Sequence, residues 1–106
     1  MKSISLKNKV GIVTGGASGI GKGIVMGLAE ADAHVAIADI NMDAARKLAE
    51  EIAAAGLPKA VAVEVDVTDE TSVARMVEAV KTEFGRVDIL VNNAGIAPSS
   101  RLVDFD

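Results

Sequence analysis

The chain has no cysteine, no tyrosine and no tryptophan, and its two aromatic residues are Phe84 and Phe105. Without cysteine there is neither a disulfide framework nor a thiolate metal site, and a reducing, cytoplasmic setting is expected. Two phenyl rings do not make a base-stacking platform for nucleic acid. The net charge of -4, with acids and bases interspersed, provides no basic patch to follow a phosphate backbone. The start of the chain does not join a basic flank to a long apolar stretch, so no membrane partner is expected. The single histidine, His34, begins a strand-like run and reads as structural or solvated. What is present suits one domain over residues 1–106, because 50 % hydrophobic content can build a core of moderate size.

Apolar runs that suit strands alternate with segments whose apolar residues recur every three or four positions, as in successive βαβ units. The strand-like runs are Lys9 to Thr14, His34 to Asp39, Ala60 to Val65 and Val87 to Val91. Rich in Val, Ile and Ala, they fit strands buried on both faces of a parallel sheet. Between them Ile20, Ile24 and Leu28 predict one helical face, Ala45, Leu48, Ala49 and Ile52 a second, and Val73, Met76, Val77, Val80 and Phe84 a third. Asn41 and Thr68 are candidate caps for the second and third helices, Gly56 with Pro58 stops the second, and Gly85 ends the third. Asp32 stands where a left-handed residue often closes a helix, a conformation Asp tolerates better than most residues.

The segment Gly15-Gly16-Ala17-Ser18-Gly19-Ile20-Gly21 lies between the first strand and the first helix. Glycines there let the backbone turn tightly and approach a pyrophosphate, and a helix beginning near Gly19 points free N–H groups and its positive dipole end at an anion. Alone, such a turn is equally well a tight strand-to-helix connection. An acid at the end of the second strand, Asp39, eighteen residues past Gly21, strengthens the dinucleotide reading. Asp39 would accept hydrogen bonds from the adenosine ribose hydroxyls, or it could cap the next helix. A charge of about -1 facing about -2 at ~4 Å repels by roughly 2 kcal/mol at the dielectric constant of water and by several at ~20. With about 1.4 kcal/mol per tenfold in affinity, NAD is expected over NADP. Gly16 to Lys22 also satisfies the first seven positions of a P-loop, but Gly23 stands where a Ser or Thr must hold magnesium. Lys22 then reads as a solvated residue of the first helical turn.

Thr14, Gly15, Gly19 and Gly21 match the Thr-Gly-x-x-x-Gly-x-Gly signature of the short-chain dehydrogenase/reductase family, and Asp66-Val67 and Asn92-Asn93-Ala94-Gly95 match two later motifs. From Lys9 to Gly95 the chain resembles that family in order and spacing. The resemblance implies an α/β, Rossmann-type parallel sheet with four strands in the order 3-2-1-4 and three helices. It also implies NAD as cofactor. Gly15, Ser18, Ile20 and Gly21, with Gly19 among them, would line the pyrophosphate, Asp39 the adenosine ribose, and Asp66 with the Val67 backbone the adenine. Asn93, Ala94 and Gly95 would lie further along the cofactor, while Asn92 would tie the central strands together. From the residues alone, Asp66 could instead favour a helix start and the asparagines a turn.

The departure from the family concerns catalysis. Its members run to more than twice this length and carry a Ser and a Tyr-x-x-x-Lys motif in their second half, which has no counterpart among these residues. No catalytic residue and no metal ligand is therefore assigned; Ser99 and Ser100 follow Pro98 without a His or Tyr nearby to act as base. Residues 96–106 would begin the region leading to the catalytic half. Three functions follow: the NAD-binding portion of an oxidoreductase, a non-catalytic nucleotide-binding module, or an S-adenosylmethionine-dependent methyltransferase. The last lacks its usual acid before the turn, where Thr14 stands. A fourth strand without its usual neighbour would leave a sheet edge open to self-association.

Overall fold

The computed structural model describes residues 5–93. In chain order its elements are β1 (Val10–Thr14), α1 (Gly19–Glu30), β2 (His34–Asp39), α2 (Met42–Ala54), β3 (Ala60–Glu64), α3 (Glu70–Phe84) and β4 (Ile89–Asn92). All pairings are parallel and the order is β3-β2-β1-β4, with Thr14 beside Ala38 and Asn92, and Asp39 beside Glu64. This is the expected Rossmann-type α/β architecture. The limits of β2 match the sequence reading, those of β1 and β3 differ by one residue at one end, and β4 begins at Ile89 rather than Val87.

Alternation along the strands divides the core into two layers. On one face Val10, Ile12, Ala36 and Ala38 meet Met76, Val77 and Val80 of α3. On the other, Val13, Val35 and Ile37 meet Val25 and Ala29 of α1 and Ala45, Leu48 and Ile52 of α2. The central strands β1 and β2 are apolar on both faces because both are covered by helices.

The buried row of α1 is Gly21, Val25 and Ala29. The expected row of Ile20, Ile24 and Leu28 flanks it: Ile20 is 77 % exposed, and Ile24 and Leu28 are half-buried. Large apolar residues predict the neighbouring row because the glycine turn packs so closely on the helix start that residue 21, a glycine, faces inward there, and Val25 and Ala29 follow on the same face. In α2 the expected face is the observed one, with Ala49 half-buried at its border, and in α3 Val73 and Phe84 likewise flank the buried Met76, Val77 and Val80.

Helix ends follow the chemistry of their caps. The Asn41 side-chain oxygen accepts the Ala44 N–H at 3.1 Å. The cap of α3 is Asp69, whose carboxylate accepts the Thr71 N–H at 2.9 Å, and not Thr68, whose hydroxyl is engaged by Asp66. After α1, Asp32 is left-handed with φ 77°, the Asp32 N–H donates to the Ala29 carbonyl and the Ala33 N–H to that of Leu28. Gly56 repeats this paired closure after α2, and Gly85, at φ 83°, closes α3.

Two contacts fasten the rim of the sheet. The Asp88 carboxylate accepts the Val10 N–H at 2.9 Å and hydrogen bonds from Nε and Nη2 of the Arg86 guanidinium, while the Asp88 N–H donates to the Val10 carbonyl. At the same end of the strands, the His34 ring stacks on Phe84 with centroids 5.2 Å apart, and Nδ1 lies 3.3 Å from the Lys59 carbonyl oxygen. The structural reading of His34 agrees with this setting.

Candidate functional site

The parallel strands deliver their C-terminal ends to one rim, and the residues singled out by sequence collect there. Buried Thr14 closes β1, and its hydroxyl donates to the Asn92 side-chain oxygen at 3.1 Å, joining β1 to β4. Asn92 thus makes the strand-to-strand tie expected of it. Gly15 then turns the chain with φ 64°, where a side chain would be strained. The Gly16 N–H donates to the Ala38 carbonyl at 3.3 Å and the Ala17 N–H to Asp39 Oδ2 at 3.1 Å, so the turn is laced to the end of β2.

Ser18 is the extended N-cap of α1 and makes no side-chain capping bond. Lys22 is the first residue of α1 whose N–H reaches a helical acceptor, the Ser18 carbonyl at 3.2 Å, so the N–H groups of Gly19, Ile20 and Gly21 are left without one. No acid occupies this first turn. The positive end of the helix is therefore not neutralised from within the helix, and an anion placed there is stabilised.

Gly21 also has a reason within the fold itself. A Cβ at residue 21 would lie 1.9 Å from the Gly15 carbonyl oxygen and 2.8 Å from Asn93 Nδ2. The close approach that requires glycine is between the helix and the chain's own turn. Asn93 completes that contact by donating from Nδ2 to the Gly15 carbonyl at 3.2 Å. Ala94 and Gly95, together with the region 96–106, lie outside the described residues.

Beside the turn is a cleft of about 140 Å³ lined by Gly15, Asp39, Ile40, Val65, Asp66 and Val67. Four of the six are residues chosen from sequence. Ile40, 71 % exposed, and Val65 were missed, although a large apolar residue directly after a strand-ending acid was a usable signal. Asp39 is fixed from both sides, Oδ2 by the Ala17 N–H and Oδ1 by the Asn41 N–H at 3.0 Å. It braces the loop before α2, but Asn41 makes the capping bond. Asp66 is exposed, and the Thr68 hydroxyl and then the Thr68 N–H hold its carboxyl below the usual range. Lys22 forms a half-exposed ion pair with Glu51 of α2 at 3.7 Å.

Two carboxylate acceptors, apolar walls and an adjacent anion-favouring helix end suit a ligand that carries hydrogen-bond donors, an apolar face and a phosphate. The sequence profile of the short chain dehydrogenase family matches residues 9–106. The chain belongs to that family.

Family members that resemble it include sorbitol dehydrogenase of Cereibacter sphaeroides, 41 % identical over 94 % of this chain and 38 % of its own length. Galactitol 2-dehydrogenase of Agrobacterium fabrum is 52 % identical over 86 % of this chain and 34 % of its own. Among solved structures, a hydroxysteroid dehydrogenase from Escherichia coli superimposes with a TM-score of 0.82 and 42 % identity, over 86 % of this chain and 38 % of that one. The chain thus spans little more than a third of the length of these relatives. It is a portion of a short chain dehydrogenase, a family that uses a nicotinamide dinucleotide cofactor. Among the described residues no helix is long and apolar enough to cross a membrane, and no group of three or more His, Cys, Asp or Glu is placed to hold a metal ion.

Proposed function

We propose that this chain binds NAD(H) in preference to NADP(H), as the cofactor portion of an enzyme that moves hydride between NAD and an alcohol or carbonyl. The observation that carries the preference is Asp39, a carboxylate lining the cleft beside Gly15 and oriented by two backbone N–H groups. A fixed negative charge accepts ribose hydroxyls and repels a phosphate on the same sugar. The N–H groups of Gly19, Ile20 and Gly21, with Gly15 and Ser18 beside them, receive the pyrophosphate; Asp66 and Val67 receive the adenine; Asn93 lies beside the cofactor further along. When bound, the dinucleotide supplies or accepts the hydride.

The protein's own contribution here is binding and orientation. A tyrosine able to exchange the substrate proton is absent from this sequence, so the proton-transfer group of the proposed reaction is not among these residues. Relatives named for sorbitol, for galactitol and for a hydroxysteroid share this segment at similar identity, which separates cofactor binding from substrate choice. A cytoplasmic location suits a chain without cysteine and its reduced cofactor.

The test is a titration followed by nicotinamide fluorescence. NADH should saturate the chain and NADPH should compete poorly. Asp39→Ala should weaken NADH by about tenfold and narrow the gap to NADPH, in line with loss of hydrogen bonds to a charged group. Asp39→Asn, which keeps an acceptor for the Ala17 N–H, should narrow the gap as well. Lys22→Ala should change little, and equal losses in Asp39→Ala and Lys22→Ala would overturn the assignment in favour of a P-loop-like site.

A further inference from the structure

We infer that Thr68 is a positioning residue for adenine recognition: it locks one oxygen of Asp66 so that the other faces the cleft as a fixed hydrogen-bond acceptor. This deepens the dinucleotide-binding reading and rests on it. Asp66 follows β3 in an exposed connection, where an aspartate would ordinarily sample several rotamers. Here its Oδ1 accepts the Thr68 hydroxyl at 2.6 Å and the Thr68 N–H at 3.0 Å. The main chain is held as well, for the Asp66 N–H donates to Ser72 Oγ at 2.9 Å and its carbonyl accepts the Asp69 N–H at 3.1 Å. Among the described residues, Oδ2 has no protein donor, and Asp66 lines the cleft together with Gly15, Asp39 and Val67.

A threonine that merely stabilised the connection would serve as well by capping α3, yet Asp69 performs that function. The Thr68 hydroxyl is instead turned back towards Asp66. Two donors on one oxygen keep the carboxylate ionised and restrict its rotation before any ligand arrives, which lowers the ordering cost of binding. An ionised acceptor at a fixed place favours a ring bearing an amino group and disfavours one bearing a carbonyl there. The chemistry selected is therefore a 6-aminopurine over a 6-oxopurine.

The experiment compares NADH with its hypoxanthine analogue, which replaces the amino group by a carbonyl, on the wild-type chain, Thr68→Val and Thr68→Ser. The wild type should prefer NADH by about tenfold or more, Thr68→Val should lose most of that preference, and Thr68→Ser should restore it. Loss of stability alone would weaken both dinucleotides and leave their ratio unchanged. Equal affinities in the wild type, or an unchanged ratio in Thr68→Val, would overturn the inference.

A second readout needs no cofactor. The Asp66 carboxyl titration followed by NMR should move to higher pH in Thr68→Val and return in Thr68→Ser. Asp39, Glu64, Asp69 and Arg75 border the same cleft and its neighbouring hollow, and they are unaltered in both variants, so their charges do not account for a difference. An unmoved titration would overturn the Thr68–Asp66 link. If the titration moves but the wild type binds neither dinucleotide, the link stands, whereas the cofactor reading and the purine preference built on it both fail.

Discussion

A single left-handed aspartate carries the closure of α1. Asp32 has φ 77° at the position that Gly56 fills after α2, and both closures use the same pair of backbone hydrogen bonds. The conformation is strained for a residue with a Cβ, so Asp32→Gly should stabilise the chain by up to about 1 kcal/mol. A thermal melt should show a rise of at most about 4–8 °C. An unchanged or lower midpoint would mean that the added freedom of the unfolded glycine cancels the relief. The opposite experiment applies at Gly21, where a Cβ would meet the Gly15 carbonyl oxygen at 1.9 Å. Gly21→Ala should cost about 1–3 kcal/mol by overpacking, read as a lower denaturant midpoint with or without NADH. If stability is unaltered and only cofactor affinity falls, the close approach is to the ligand instead of the turn. Sequence singled out Gly21, Asp39 and Asp66, and the structure brings Asp39 and Asp66 into one cleft beside the glycine turn. Sequence did not reveal which atoms Gly21 must avoid, because that depends on a turn and an asparagine brought together from distant parts of the chain.

At the level of elements, periodicity and punctuation located all four strands and three helices, since each βα unit declares itself within a short stretch of sequence. The errors arose where neighbours in space override local pattern. Ile20 fits a helical apolar row, yet the glycine turn draws Gly21 inward and leaves Ile20 exposed. Thr68 has good capping chemistry, but Asp69 is one residue nearer to the helix. The Asp88 clamp on Val10 escaped notice because its partners are 78 residues apart. The Asp88 side chain is 19 % exposed, and the Arg86 guanidinium, foremost, with the Val10 N–H holds its carboxyl below the ordinary range. A lowered native pKa gives stability that is fully present above the unfolded value of about 3.9 and is lost as pH falls through the native one. Asp88→Asn should therefore lower the urea midpoint at pH 7, and the gap to wild type should shrink in strong acid. A gap that stays constant with pH would assign the contribution of Asp88 to shape and neutral hydrogen bonding.

For the whole molecule, two helices cover one face of the sheet and one covers the other, while β3 and β4 form its edges among the described residues. In β4, Ile89, Leu90 and Val91 are only half-buried. Open strand edges with apolar side chains pair readily, so the 106-residue chain on its own should associate with increasing concentration. Sedimentation velocity over a hundredfold concentration range would show it, and a monodisperse monomer throughout would overturn the expectation. The fold class was legible because alternating strands and helices admit few architectures. The state of the edge was less so, since it depends on what else lies against β4.

The parallel sheet also acts as a ruler. Neighbouring strands lie about 4.8 Å apart, and β1, β2 and β3 present Gly15, Asp39 and Asp66 in that order along one rim. In the proposed dinucleotide complex, phosphate, sugar and base recognition would therefore be graduations fixed by backbone hydrogen bonding, whereas the residue at each mark is free to change. A substitution at a mark alters what is read there. A one-residue insertion inside β2 would instead turn its following side chains to the other face and move Asp39 off the scale while leaving its chemistry intact.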